Sequence, residues 1–523
     1  MHSRSESRSA VLQWVVVLVV GVLVVTLVLG LGLISRLNDG QKVLDAAKPA
    51  FTATRVAGDR AGINIISEDV DMADPIVTAQ GGAAAEVPKL VAFVSQKTGL
   101  SQAAVLAALH KNFPHTTALL QTLPLSAVTA ELPGLLGFLE KALHLSQTQL
   151  VAALEANFPA LTQAIINLPT VTAGWEKIQN INGLTRFDGA PVQSVPQLRT
   201  YFSSDLIPVL ETQRSNFASL DGTSSVNWVA PLLLIVGLVV ILFALVMIGL
   251  NLRGPLSRAV AIASSSVVVV VGVGVVVLVL VISLVPRVSN GQKLLDGLGP
   301  VNVAARVHGD RAGITMVSAI TAMEDPLMTA QGGAAAEVPK LVAFVSQKTG
   351  LSQAAVLGAL QKNFPHTTAL LQTLPLSSVT AELPGLLGFL EKVLHLSQTQ
   401  LVAALEANFP ALTQAITNLP AVTSGWDAVP GATGFTRFNG SPIKTVPGVA
   451  TYFSADLIPV LETQRVHYDH LVSTSKINFI GPLVLIIGLI VIIYGLLMLL
   501  LAARVEPSPS GGAAPRPVAQ PST

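Results

Sequence analysis

Gln80–Leu100 reads QGGAAAEVPKLVAFVSQKTGL, and Gln331–Leu351 spells the same letters again. The match runs on to Gln80–Pro169 against Gln331–Pro420, at a constant offset of 251 and with five differences, among them His110/Gln361 and Ala142/Val393. Further out, Asp39-Gly40-Gln41-Lys42 aligns with Asn290-Gly291-Gln292-Lys293, and Pro231/Pro482 and Gly237/Gly488 keep the register. A fixed-period repeat decides the architecture before any single element is weighed. The chain is two halves of one plan.

A shorter repeat of 45 residues lies inside each half. Leu100-Ser101-Gln102 to Asn112-Phe113-Pro114 recurs as Leu145-Ser146-Gln147 to Asn157-Phe158-Pro159, and each copy closes on Leu-Pro at Leu123-Pro124 and Leu168-Pro169. Val87, Leu90, Val91 and Val94 make an i, i+3, i+4, i+7 stripe, echoed by Leu132, Leu135, Leu136 and Leu139. That spacing is one face of an α-helix. Gly99 then ends a helix and Ser101 caps the next, with His144 in place of the glycine in the second unit. Pro114 and Pro159 suit the first turn of another short helix. Helices this short hold only by packing on one another.

Four apolar stretches flank and separate these segments: 15–34, 229–250, 260–284 and 479–501. Each reaches the roughly 20 residues that span about 30 Å of hydrocarbon, and none contains a charge. Composition agrees, with 51% hydrophobic and 12% charged residues and a mean hydropathy of +0.63. Soluble domains carry roughly a quarter charged residues. Arg4 and Arg8 precede the first stretch, but its length and its Leu33-Ile34-Ser35-Arg36 ending suit an uncleaved anchor better than a signal peptide. Arg253 and Arg258 in the short 251–259 loop place that loop, the N-terminus 1–14 and the tail 502–523 in the cytoplasm by the positive-inside rule. Segments 35–228 and 285–478 are then extracytoplasmic. The tail is rich in Pro, Gly, Ser and Ala, a composition expected to be disordered, and Pro515-Arg516-Pro517 in it has the form of a proline-domain ligand.

The fold class expected is therefore an all-α membrane protein with four transmembrane helices in two tandem halves. Each half is span, helical extracytoplasmic domain, span, with a pseudo-two-fold axis along the membrane normal. The pattern allows a small β-hairpin per domain, at Gly183–Val192 around Asp188-Gly189 and again around Asn439-Gly440. Phe202, Leu206, Val209, Gln213, Phe217 and Leu220 follow a near-heptad, which reads as a membrane-proximal stalk packing near Gln41–Ala47.

The search for chemistry is mostly negative. The chain has no cysteine, so disulfides, thiolate nucleophiles, iron–sulfur clusters and cysteine-ligated zinc are excluded. No nucleotide loop, zinc-protease helix or nucleophile elbow is present. His467 and His470 stand at a spacing that can ligate a metal, but the first half has Asn216 and Ser219 there and no third ligand, so a polar stalk face is favoured. Gly58-Asp59-Arg60-Ala61-Gly62, which returns as Gly309 to Gly313, reads as a tight turn with a local Asp–Arg pair rather than an anion site. His115 and His366 follow Asn-Phe-Pro and belong at helix N-termini or on the surface. Asn439-Gly440-Ser441 is a nominal glycosylation site disfavoured by Pro442. No catalytic, cofactor-binding or metal residue is assigned, and no cofactor.

The spans lack the carboxylates, His or Arg that ion-coupled transporters keep in the membrane. Net charge is +1, from 31 basic and 30 acidic residues, which gives no reason to expect nucleic acid. The expectation is a non-enzymatic bacterial cell-envelope membrane protein of the plasma (inner) membrane, whose repeated domains bind a partner or scaffold a complex. Its partners would be membrane lipids and an envelope protein, lipid or glycan, with self-association into a homo-oligomer open. Two equal modules would add avidity. A sensor subunit working through a separate cytoplasmic partner, and a lipid- or solute-handling accessory, are the alternatives.

Overall fold

The computed structural model describes residues 2–78, 82–221, 227–253, 257–329, 333–472 and 479–504. Among these the chain is nearly all helical, with no strand. The first half opens with α1 (His2–Gly30), α2 (Leu33–Ala47), α3 (Ala53–Val77) and α4 (Ala83–Thr98). Then come α5 (Gln102–Asn112), α6 (Pro114–Thr122), α7 (Leu125–Leu143) and α8 (Gln147–Asn157). It closes with α9 (Pro159–Gly174), α10 (Val195–Thr200), α11 (Ile207–Asp221) and α12 (Val229–Arg253). The second half runs α13 (Arg258–Val281), α14 (Leu284–Leu298), α15 (Ala304–Met328) and α16 (Ala334–Thr349). It continues with α17 (Gln353–Asn363), α18 (Pro365–Thr373), α19 (Leu376–Leu394) and α20 (Gln398–Asn408). Last are α21 (Pro410–Gly425), α22 (Val446–Tyr452), α23 (Ile458–Val472) and α24 (Ile480–Arg504).

These helices sort into two compact units, and neither unit is one half of the chain. A span unit takes residues 1–46, 215–297 and 466–523, and a helical unit takes 47–214 and 298–465. Of the segments 35–228 and 285–478, residues 47–214 and 298–465 fall in the helical unit and the remainder in the span unit.

In the span unit, Val11–Gly30, Val229–Arg253, Arg258–Val281 and Ile480–Arg504 are long and apolar enough to cross a membrane. Each coincides with one stretch read from the sequence. The first helix ends at Gly30, four residues short of the reading, because Gly32 turns left-handed at φ 57°. Ser283, at φ 51°, breaks the matching place after α13. Large apolar side chains such as Leu242, Val270 and Leu500 point outward. Within each half the two spans touch at glycines. A Cβ on Gly21 would lie 2.9 Å from Ile241, and one on Gly237 2.9 Å from Val25. The same holds for Gly272 against Ile492 and Gly488 against Val276, both at 2.8 Å. Small residues allow such close approach where lipid supplies no hydrophobic drive. The two pairs meet through one apolar cluster at each end, around Trp14, Ala244, Val268 and Met498, and around Val28, Val229, Val279 and Ile480. Between the clusters lies an apolar cavity of about 190 Å³.

The stalk reading holds in part. Tyr468 on α23 donates its hydroxyl to the Leu295 carbonyl of α14 at 2.9 Å, and His470 meets Asp39 of α2 at 3.2 Å. Pro208 lies inside a helix that runs unbroken from Val195 to Asp221, directly after the π-helical turn Tyr201–Leu206, whose widened backbone accommodates the missing N–H.

In the helical unit the short helices form as their caps dictate. Ser101 Oγ accepts from Ala104 N at 3.2 Å, and Ser146 and Gln149 close a capping box. Gly99 ends α4 at φ 72°, and His144 takes the same left-handed turn at φ 55°. Their apolar faces pack across the halves: α3 on α21, α15 on α9, α6 on α18, α4 on α19 and α7 on α16. Edge-to-face rings also cross between the halves, Phe93 of α4 with Phe409 before α21 at 5.9 Å and Phe113 before α6 with Phe389 of α19 at 5.8 Å. The α6–α7 pair is also apolar, but it bends by 82°, and Val128, Leu132, Leu135 and Leu139 of α7 are buried in this core. The expected hairpin is reduced to a single bridge, Thr185 with Pro191, on a loop closed by Val192 N to Leu184 O at 3.0 Å.

Candidate functional site

The chemistry of the helical unit is concentrated on its two longest helices. α3 carries Asp59 and Asp69, and α15 carries Asp310 and Glu324; none of the four is more than 4% exposed. A lone ionised carboxylate in such a place is very costly, so each group must be neutralised or paired.

Asp69 and Glu324 face one another across the halves. Burial pushes Asp69 up to about 7, and burial together with the Asp69 carboxyl drives Glu324 well above the usual carboxylate range. Two acids in contact cannot both ionise, so the pair retains a proton at neutral pH. The pair has no second copy. The position 251 residues after Asp69 is Ile320, and the one 251 before Glu324 is Ala73.

Asp59 and Asp310 do recur, and each looks across at a tyrosine of the helix α22 or of the turn after α10. Burial raises Asp59 to about 8 and Asp310 to about 7, against the opposing pull of the Tyr452 and Tyr201 hydroxyls and of Arg55 and Arg306. Both tyrosines are raised in turn, by burial and by the carboxyl they face. They adjoin π-helical turns, Tyr201–Leu206 and Phe453–Leu457, a distortion found disproportionately at functional sites.

Arginine clamps hold this arrangement across the halves. Arg55 donates to Thr436 O at 3.0 Å, Pro49 O at 2.6 Å and Arg437 O at 2.8 Å, with its guanidinium 4.9 Å from the Phe438 ring. Arg306 does the same with Thr185, Pro300, Arg186 and Phe187. Next to each clamp is a forked ion pair, Arg437 on Asp456 and Arg186 on Asp205, at 2.7 and 3.0 Å. Burial pulls Asp205 and Asp456 up, but the guanidinium and a backbone N–H hold both below their usual value.

The glycine-flanked motif is not the turn expected from sequence. It lies in the middle of α3, and its glycines are points of contact: a Cβ on Gly58 would come within 2.3 Å of the Phe435 ring, and one on Gly62 within 2.6 Å of Val449. Arg60 pairs not with Asp59 but with Glu211, as Arg311 does with Glu462. The helix periodicity of Ile63, Ile65, Ile66, Val70 and Met72 was the overlooked signal, because it puts Asp69 on an apolar face.

Four glutamates cap helices of the opposite half. Glu86 accepts from Ala411 and Leu412 N–H at the start of α21, the latter at 2.8 Å, and Glu337 accepts from Ala160 and Leu161 at α9. Glu382 holds His115 and Thr116 at α6, and Glu131 holds His366 and Thr367 at α18. The histidines thus sit at helix N-termini, one of the two places expected. His467 and His470 both contact Asp39 at 3.2 Å. Among the described residues no group of three or more His, Cys, Asp or Glu is placed to hold a metal. Ser441 folds onto Asn439 within its own turn, with its hydroxyl 2.6 Å from Oδ1. Pro515-Arg516-Pro517 lies outside the described residues.

Two apolar voids, each about 60 Å³, lie between α4–α6 of one half and α19–α21 of the other, and between the reciprocal helices. Ligand sites usually offer about 300–1,000 Å³. The interior is therefore a packed core around four buried acids, Asp59, Asp69, Asp310 and Glu324, all raised by burial. No family model matches this chain, and neither a curated protein nor a solved structure is significantly similar to it.

Proposed function

We propose that this chain is a non-enzymatic scaffold of a bacterial plasma membrane, with both termini cytoplasmic and its helical unit outside. The two tandem halves form one pseudo-two-fold body about an axis along the membrane normal. The reading rests on the reciprocal glutamate caps, since each half completes helix ends that belong to the other. Duplication then serves rigidity within the helical unit rather than the avidity of two independent modules. Envelope proteins, lipids or glycans are the partners such a body would collect. The test is capture of tagged full-length chain from membranes, against Glu86→Ala/Glu337→Ala. Enrichment of an envelope component that falls with the double variant supports the scaffold; enrichment of nothing by the full chain overturns it.

A sensor reading is favoured by a different observation, the buried acids whose protonation lies close to neutral pH. It requires that pH change partner capture, and the same experiment run at pH 5.5 and pH 8 separates the two.

A further inference from the structure

The 45-residue repeats share a fold but not a surface. Lys89, Lys97 and Lys111 of the α4–α6 repeat are exposed, and 45 residues on, in the α7–α9 repeat, stand Gly134, Ala142 and Ala156. The second half has Lys340, Lys348 and Lys362 against Gly385, Val393 and Ala407. The same fold thus forms without these lysines, and they are not needed to build it. No acid offsets them locally. Between Ala83 and Thr122 the only acid is Glu86, and between Ala334 and Thr373 it is Glu337; both are buried as caps of the opposite half. Among the described residues none of the six lysines is in an ion pair; Lys97 and Lys348 lie over the Phe93 and Phe344 rings at 5.8 and 5.9 Å. Apolar side chains stand beside these charges. Val105 and Leu109 of α5 face the core, which leaves Ala103, Leu106, Ala107 and Lys111 on the outside. Leu106 is 38% exposed and Leu100, in the turn before α5, 49%; Leu357 and Leu351 match them at 41% and 48%. Their counterparts in the α7–α9 repeat, Val151 and Leu145, are half-buried. The two basic repeats meet through α6 and α18.

We propose that the outer faces of α4–α5 and α16–α17 dock on an anionic phospholipid surface, with the lysines at the headgroups and the four leucines in the interfacial layer. Lysine is a point charge on a long apolar stem, suited to a field of headgroups rather than to one fixed phosphate. Exposed leucine beside it gains only where hydrocarbon is within reach. A soluble polyanion would engage the lysines and leave the leucines in water. The inference deepens the scaffold reading by naming the lipid partner. That reading is tested at Glu86 and Glu337, which these substitutions leave intact, so either can fail alone.

Full-length chain in phosphatidylcholine nanodiscs is mixed with vesicles of phosphatidylglycerol or of phosphatidylcholine, and the chain floating with each is measured. Phosphatidylglycerol vesicles should recover about tenfold more chain or better, an excess that shrinks as salt is raised. Lys97→Ala/Lys111→Ala/Lys348→Val/Lys362→Ala installs the residues of the α7–α9 and α19–α21 repeats, so the fold is kept, and should bring the ratio close to one. Leu106→Ser/Leu357→Ser should lower recovery on phosphatidylglycerol severalfold with every lysine in place. Equal recovery on the two vesicles, or a preference that survives the four lysine substitutions, overturns the proposal. Recovery that Leu106→Ser/Leu357→Ser leaves unchanged overturns it too, and assigns the face to a soluble polyanion.

Discussion

At Asp69 a carboxylic acid does what an apolar side chain would do more cheaply. Its folded value lies near 7 rather than 3.8, so the folded state holds a proton that the unfolded chain releases in between. Stability is then fully present below the unfolded value and is lost as pH rises through the folded one. Each such group contributes a slope of up to about 1.4 kcal/mol per pH unit across that window. Asp59 and Asp310 act in the same direction. The helical unit should therefore melt at a higher temperature at pH 5 than at pH 8, measured by circular dichroism. A melting temperature that rises with pH would contradict the burial of these acids. Asp69→Ile together with Glu324→Ala, the residues found at the equivalent positions, should reduce this slope and raise stability at pH 8. Asp69→Ile alone should gain less, because Glu324 is left without its partner. At the contact glycines the expectation is steric. Gly58→Ala sets a methyl into the Phe435 ring and should destabilise by roughly 1–3 kcal/mol, the usual range for overpacking.

At the scale of the helices, the trans caps make a local prediction. Glu86→Gln weakens a charge-assisted cap on two N–H groups of α21 and should cost about 1–2 kcal/mol. Hydrogen exchange should quicken at the first turn of α21, 325 residues away in the chain, and not at the first turn of α4, where Glu86 itself resides. Faster exchange confined to α4 would argue against caps across the halves. Much at this scale was legible beforehand. The spans, the stripes, the Ser101 and Ser146 caps and the left-handed ends at Gly99 and His144 are local properties, set by residues within a turn of one another. The partner of each stripe was not legible. Val91 and Val342 belong to near-identical faces, and periodicity says that a face is buried without saying against which half. The same blindness covered the buried site, since Arg55 finds its carbonyl partners 381 and 382 residues on. The glycine motif was misread because Gly-Asp-Arg-Ala-Gly has turn composition, whereas its glycines are there for the Phe435 and Val449 side chains.

For the whole molecule two measurements matter. With no native cysteine, Lys111→Cys should react with a membrane-impermeant maleimide in intact cells and Ser257→Cys should not; reversed labelling overturns the orientation. Residues 1–251 and 252–523 made as separate chains should associate with each other in preference to themselves. Like with like sets Asp69 against a second Ala73, or Glu324 against a second Ile320, and leaves a buried acid alone each time. That mismatch gives the molecule a direction in time. An ancestral half able to pair with its twin would lose that ability as soon as one face acquired Asp69 and the other Glu324. From then on the joined chain is a one-way ratchet: cutting it yields two unlike subunits that must be produced together, and no single half can serve again as its own mate.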